Sequence, residues 1–141
     1  MTDPGIVRDV ARVGLGTFLV AAGVAHLAVP EEFLGQVPEW LPARRPIVLV
    51  SGVVEITLGT ALAVWRRKRV PLGWAVAGLL VGVFPGNIHQ TVAGTDAFGL
   101  TTDTARIVRL VFQPALVAWA LWSTGAWATW RSQQGQLIDG R

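Results

Sequence analysis

Residues 47–65 read IVLVSGVVEITLGTALAVW, nineteen residues with one ionisable side chain, Glu55, and no proline. As an α-helix this run is ~28 Å long at ~1.5 Å per residue, close to the roughly 30 Å of hydrocarbon in a bilayer. It lacks the polar stripe that a surface helix of a soluble protein carries, so every face must meet lipid or another helix. Three further runs share this character, at about 10–29 (apolar from Val13), 70–89 and 107–127. Pro30 stops the first run, Pro46 precedes the second, and Arg66-Arg67-Lys68-Arg69 separates the second from the third. The alternation of a membrane β-barrel is absent, and backbone groups in lipid must otherwise pair within a helix. The expected fold is therefore all-α: an integral membrane four-helix bundle forming one domain over residues 1–131, with a flexible polar tail at 132–141.

Composition agrees with a bilayer as solvent. Hydrophobic residues make up 52% of the chain and charged residues 15%, against about 25% charged in average soluble domains. Mean hydropathy is +0.49. The chain has no Cys, which excludes a disulfide framework or a thiol relay carried by this chain alone. Net charge is +3, but the basic residues cluster at the ends of apolar runs, which argues for membrane topology and against nucleic acid. Counting Lys and Arg puts eight on one side (Arg8, Arg12, Arg66, Arg67, Lys68, Arg69, Arg131, Arg141) and four on the other (Arg44, Arg45, Arg106, Arg109). The positive-inside rule then predicts both termini and the 66–69 turn in the cytoplasm. Trp65 and Trp74 flank that turn, and Trp119, Trp122, Trp127 and Trp130 crowd the same end, as an interfacial belt requires. The first run is too long for a signal-peptide core, so it is expected to remain as a span.

The outer connections differ. Residues 30–46, PEEFLGQVPEWLPARRP, contain four prolines that prevent a continuous helix; Phe33, Leu34, Trp40 and Leu41 are expected against the outer membrane surface. Residues 90–105 read as a solvated loop. The closing Ile138-Asp139-Gly140-Arg141 is similar to a protease-recognition remnant. Gly16 and Gly23, Gly52 and Gly59, and Gly78, Gly82 and Gly86 form ridges of small residues that allow close helix approach. Pro85 and Pro114 free the carbonyls of Val81 and Leu110 and are expected to bend their helices.

Six polar residues lie within or at the outer ends of the runs: His26, Glu55, Asn87, His89, Arg109 and Gln113. Arg109 and Gln113 share a helix face. Glu55 is deepest, ~12 Å below the start of its run, and Gly52 and Gly59 flank it on the side that should face the bundle. A carboxylate there costs ~3 kcal/mol on insertion scales unless it is protonated or paired. Arg109 is the first expected partner and His26 the second. One reading is a buried polar knot that only fixes helix register. The other is a proton-handling carboxylate in a small cavity, with Arg109 setting its charge and His26, Asn87, His89 and Gln113 positioning a ligand's polar head. Haem between His26 and His89 is disfavoured because their depths match only approximately. No tight spacing supports a metal site of His26, His89 and Glu55. Imidazole, amide and guanidinium groups facing an apolar cleft suit quinone carbonyls.

The same residues carry a family resemblance. Gly23-Val24-Ala25-His26, Pro38-Glu39-Trp40-Leu41-Pro42, Ser51-Gly52-Val53-Val54-Glu55 with Gly59, Phe84-Pro85-Gly86-Asn87-Ile88 and Arg109-Leu110-Val111-Phe112-Gln113 occur in that order over about residues 13–125. In order and spacing they resemble the DoxX/DoxD-like family of small four-span bacterial membrane proteins. The resemblance implies a multi-pass protein of the bacterial inner (cytoplasmic) membrane that is a subunit of a redox assembly such as thiosulfate:quinone oxidoreductase, with quinone and a membrane or extracytoplasmic protein as partners. Enzymatic activity stays open: a non-catalytic accessory or chaperone-like subunit is the alternative. A proton-coupled carrier is a third reading, and it would need an oligomer to alternate access. Arg44, Arg45 and Arg106 are expected as solvated outer arginines.

Overall fold

The computed structural model describes residues 3–96, 99 and 101–139. Among these the protein is helical without a strand: α1 (Pro4–Ala28), a 3-10 turn (Pro30–Gln36), α2 (Arg44–Val64), a second short 3-10 turn (Arg66–Lys68), α3 (Arg69–Ala93), α4 (Asp103–Ser123) and α5 (Ala126–Asp139). The first four helices are long and apolar enough to cross a membrane; α2, for example, is ~31 Å long. Their outward faces carry Val50, Val53, Val81 and Val111, all more than half exposed, a surface suited to lipid rather than water.

The bundle is two tight antiparallel pairs, α1 with α2 and α3 with α4, joined more loosely along the α1–α4 and α2–α3 seams. The glycine pattern explains the first pair. A methyl group on Gly16 would fall 2.6 Å from the Gly59 carbonyl oxygen, and one on Gly59 would fall 2.6 Å from that of Gly16. Two turns away, Gly23 and Gly52 repeat this reciprocal approach at 2.5 and 2.8 Å. Without a hydrophobic drive between helices in lipid, such backbone proximity is what dispersion attraction requires. The expected ridge on α3 is not a ridge: Gly78 and Gly82 face open space, and only Gly86 makes a close approach, to the Gln36 carbonyl. A core of Leu15, Leu19, Leu62, Val76, Leu80, Leu116 and Ala120 fills the half of the bundle nearer the Arg66 turn.

Polar groups tie both ends. Arg12, expected as a flanking cation, is buried and donates to the carbonyls of Leu62 and Ala63, closing the C-terminus of α2. Asp9 pairs with Arg12 and, at 2.6 Å, with Arg66. Trp119, expected only as a belt residue, also donates from Nε1 to the Ala11 carbonyl at 2.9 Å, tying α4 to α1. At the other end Arg106 is buried rather than solvated, held by Asp96 and Asp103. Arg44 donates to the carbonyls of Leu34 and Val37 and so clamps the 3-10 turn, while Arg45 pairs with Glu31. The 90–105 segment is therefore shorter and more engaged than a plain loop, since α3 continues to Ala93 and α4 begins at Asp103.

Two boundaries also differ from expectation. Thr124 and Gly125 (φ 74°) break the fourth run, and the stretch expected as a flexible tail is helical to Asp139. Gly140 and Arg141, the end of the expected protease remnant, lie outside the described residues. Gly59→Val is expected to lower unfolding stability by about 1–3 kcal/mol through overpacking, whereas Gly78→Ala should be neutral or stabilising by up to ~1 kcal/mol. Denaturant titration of both variants in detergent, followed by tryptophan fluorescence, checks this; equal effects would remove the glycine contact as the determinant of the α1–α2 pair.

Candidate functional site

Because α1 and α2 run antiparallel, the residues one turn beyond Gly23 and Gly52 lie on opposite sides of the crossing, but helical side chains lean toward the N-terminus of their own helix, which carries both back toward it. His26 lies three residues beyond Gly23 and Glu55 three beyond Gly52, and the His26 Nδ1 atom sits 3.1 Å from Glu55 Oε2. The same nitrogen is 2.9 Å from the Ala22 carbonyl oxygen. A carbonyl oxygen can only accept, so Nδ1 carries the proton. That single N–H is directed at Ala22, and Glu55 Oε2 is left buried without a hydrogen-bond donor. Ser51, one turn earlier on α2, reaches Oε1 with a long 3.4 Å bond. Phe33, expected on the membrane surface, is instead buried and stacks on the His26 ring with centroids 3.7 Å apart and planes 25° from parallel.

A second chain of contacts crosses from α4 to α3. Gln113 Nε2 donates to the Leu80 carbonyl at 2.7 Å. Its Oε1 must then face Asn87, whose Nδ2 donates to it at 3.1 Å. Asn87 is only 4% exposed. Its remaining atom, Oδ1, is an acceptor with no partner. The amide orientations are fixed in sequence by the carbonyl at the start of the chain. Each buried acceptor left unpaired costs about 1–3 kcal/mol, and more if it is charged.

These groups share one cavity of about 750 Å³ between the two helix pairs. Glu55, His26, Asn87, Arg109 and Gln113 all line it, among aliphatic and aromatic side chains such as Phe18, Leu41, Val48, Leu80 and Phe112. Glu55 itself is 7% exposed. Gln36 also lines it and holds an unpaired buried Nε2. The volume and the apolar wall with a few polar groups are those of a small-molecule site.

Five of the six residues anticipated for a site therefore meet. His89 does not line the cavity, so a His26–His89 pair is not assembled around it. Among the described residues no three His, Asp or Glu side chains are grouped as metal ligands would be. The expected Glu55–Arg109 ion pair is replaced by the His26 contact. Arg109 lies on the same wall within electrostatic reach of Glu55, but its Nη1 donates to Gln90 Oε1 at 3.1 Å. Gln90 in turn donates to the Thr95 carbonyl at 3.3 Å, so Arg109 on α4 is tied to the secured end of α3. Gln90, Ser51, Phe33 and Gln36 were not anticipated. The i,i+3 spacing of Asn87 and Gln90 and the i,i+4 spacing of Ser51 and Glu55 were available as signals; nothing local marked Phe33 or Gln36.

A family model described as Domain of unknown function (DUF8561) matches residues 15–124. The chain belongs to that family. The matched span runs from within α1 to the end of α4, so it includes every residue that lines the cavity and leaves α5 outside. Neither a curated protein nor a solved structure matches the chain.

Gln113→Leu should lower unfolding stability by about 1–3 kcal/mol, because Asn87 Nδ2 loses its acceptor in a buried setting. Chemical denaturation in detergent measures it. An unchanged midpoint would mean that the Leu80–Gln113–Asn87 chain does not hold the cavity wall.

Proposed function

We propose that the protein is a DoxX-like small subunit of a membrane redox system, in which the cavity receives a quinone head group or a similar polar-headed small molecule. The observation that carries this reading is a buried carboxylate, Glu55, with one oxygen beside His26 but without a hydrogen-bond donor, on the wall of a mostly apolar cavity. Buried ionisable groups in membrane spans mark proton and substrate pathways. Glu55 accepts or relays a proton, Arg109 supplies the compensating positive charge, and His26, Asn87 and Gln113 orient the head group. His89, outside the cavity, drops from this arrangement. The excess of Lys and Arg at the Arg66 end supports cytoplasmic termini, with the cavity towards the outer face of a bacterial inner membrane.

The second reading is a non-catalytic accessory subunit. It is favoured by the contacts that bridge separate elements, the His26–Phe33 stack and the Gln113–Leu80 bond, since these would fix packing whether or not anything binds.

Solvent extraction of the protein purified from its native membrane, followed by chromatography of the extract, is expected to yield quinone in near-stoichiometric amount. Glu55→Gln is expected to unfold like the parent protein and to lower quinone-dependent electron transfer in membranes by at least about tenfold, or ~1.4 kcal/mol in barrier. A quinone-free protein whose Glu55→Gln form folds and supports full electron transfer would replace the redox reading with the accessory one.

A further inference from the structure

The orphaned atoms of the cavity are specific about the polarity of the occupant. Two are acceptors, Glu55 Oε2 and Asn87 Oδ1. Asn87 cannot present a donor by turning its amide, since it is oriented through Gln113 by the Leu80 carbonyl, and Glu55 in its ionised form is acceptor-only. A lipid acyl chain would cover the apolar wall and leave both acceptors unpaired. Water would serve the acceptors but finds no partners along the apolar remainder of the wall. A cationic amine could donate, but Arg109 stands on the same wall and repels it. An uncharged hydroxyl group meets all three conditions. Its oxygen also accepts, which suits the unpaired Gln36 Nε2.

We propose that the cavity binds an uncharged amphipathic molecule whose head carries hydroxyl donors for Glu55 and Asn87. Resting on the redox reading above, this makes the tightly held partner of the ionised Glu55 form the hydroquinone rather than the quinone, because quinone carbonyls are acceptors and would face acceptors. The wall thus discriminates by the number of unpaired buried groups each form leaves, the strongest kind of polar selectivity available to a small site.

The test uses the full chain in lipid nanodiscs under anaerobic conditions, with three probes titrated separately against tryptophan fluorescence: a decyl benzoquinone, its hydroquinone, and hexylresorcinol, a meta-diol that lies outside any quinone couple. The hydroquinone and hexylresorcinol are expected to bind at least about tenfold more tightly than the quinone. Glu55→Gln, isosteric and able to donate from its amide nitrogen, should narrow that gap to about threefold or less, and Asn87→Leu should weaken both diols together. Quinone binding as tightly as hydroquinone would overturn the donor-head inference while leaving the redox reading in place. Binding of hexylresorcinol with no affinity for either member of the quinone pair would uphold the donor head and overturn the redox reading. Absence of binding by all three would overturn both.

Discussion

Backbone contact between Gly23 and Gly52 is the constraint on which the rest of the molecule depends. Two helices that meet without side chains between them are held at the closest distance available, and side chains one turn to either side of the contact that lean back toward it are brought together. Here these are His26 and Glu55. The imidazole is already committed to the Ala22 carbonyl, so proximity brings a polar edge to the carboxylate without completing its hydrogen bonding. A tightly packed helix pair thereby holds a buried acid in an unfinished environment. Such an acid is costly to keep, which is why its placement beside a cavity bears on function.

The cavity follows from where close packing is missing. Gly82, which lines the cavity, is not covered by another helix, and the seams between the two pairs are looser than the contacts within them. In water that looseness would be closed by hydrophobic collapse; between helices in lipid no such force acts, so a seam stays open unless small residues and polar bonds draw it shut. Apart from the Leu80–Gln113–Asn87 chain within the α3–α4 pair, the polar bonds that tie the elements are placed at the rims. Arg12 closes α2 at one end, while Arg106, Arg44 and the Arg109–Gln90 contact secure the other. These clamps hold the walls apart at a defined spacing and leave the middle free for an occupant.

Several side chains changed meaning between their one-dimensional and three-dimensional settings. Arg12 and Arg106 stand at the ends of apolar runs, where membrane proteins place solvated cations, yet both are buried and paired within the bundle. Phe33 lies in a proline-rich connection that reads as a surface segment, but Arg44 pulls that connection inward and the ring covers His26. Arg109 is a sound electrostatic partner for Glu55 by sign and depth, but its reach is taken by Gln90, a residue whose importance depends on the exit angle of α3.

What the chain determined by itself was everything set by local chemistry and solvent. The length and apolarity of four runs require helices that can span a bilayer, prolines and the basic cluster mark their ends, and glycine spacing on the first two selects the tight pair. The polar residues within the runs were legible as a set, because each stands out against apolar neighbours at a cost that calls for a partner. The tertiary structure alone decided who those partners are. It also decided that His89 lies off the cavity while Gln36 lies on it. Pairing depends on the rotation of each helix about its axis and on the path of the connections. Those are set by contacts between residues far apart in sequence, which no period or propensity along the chain records.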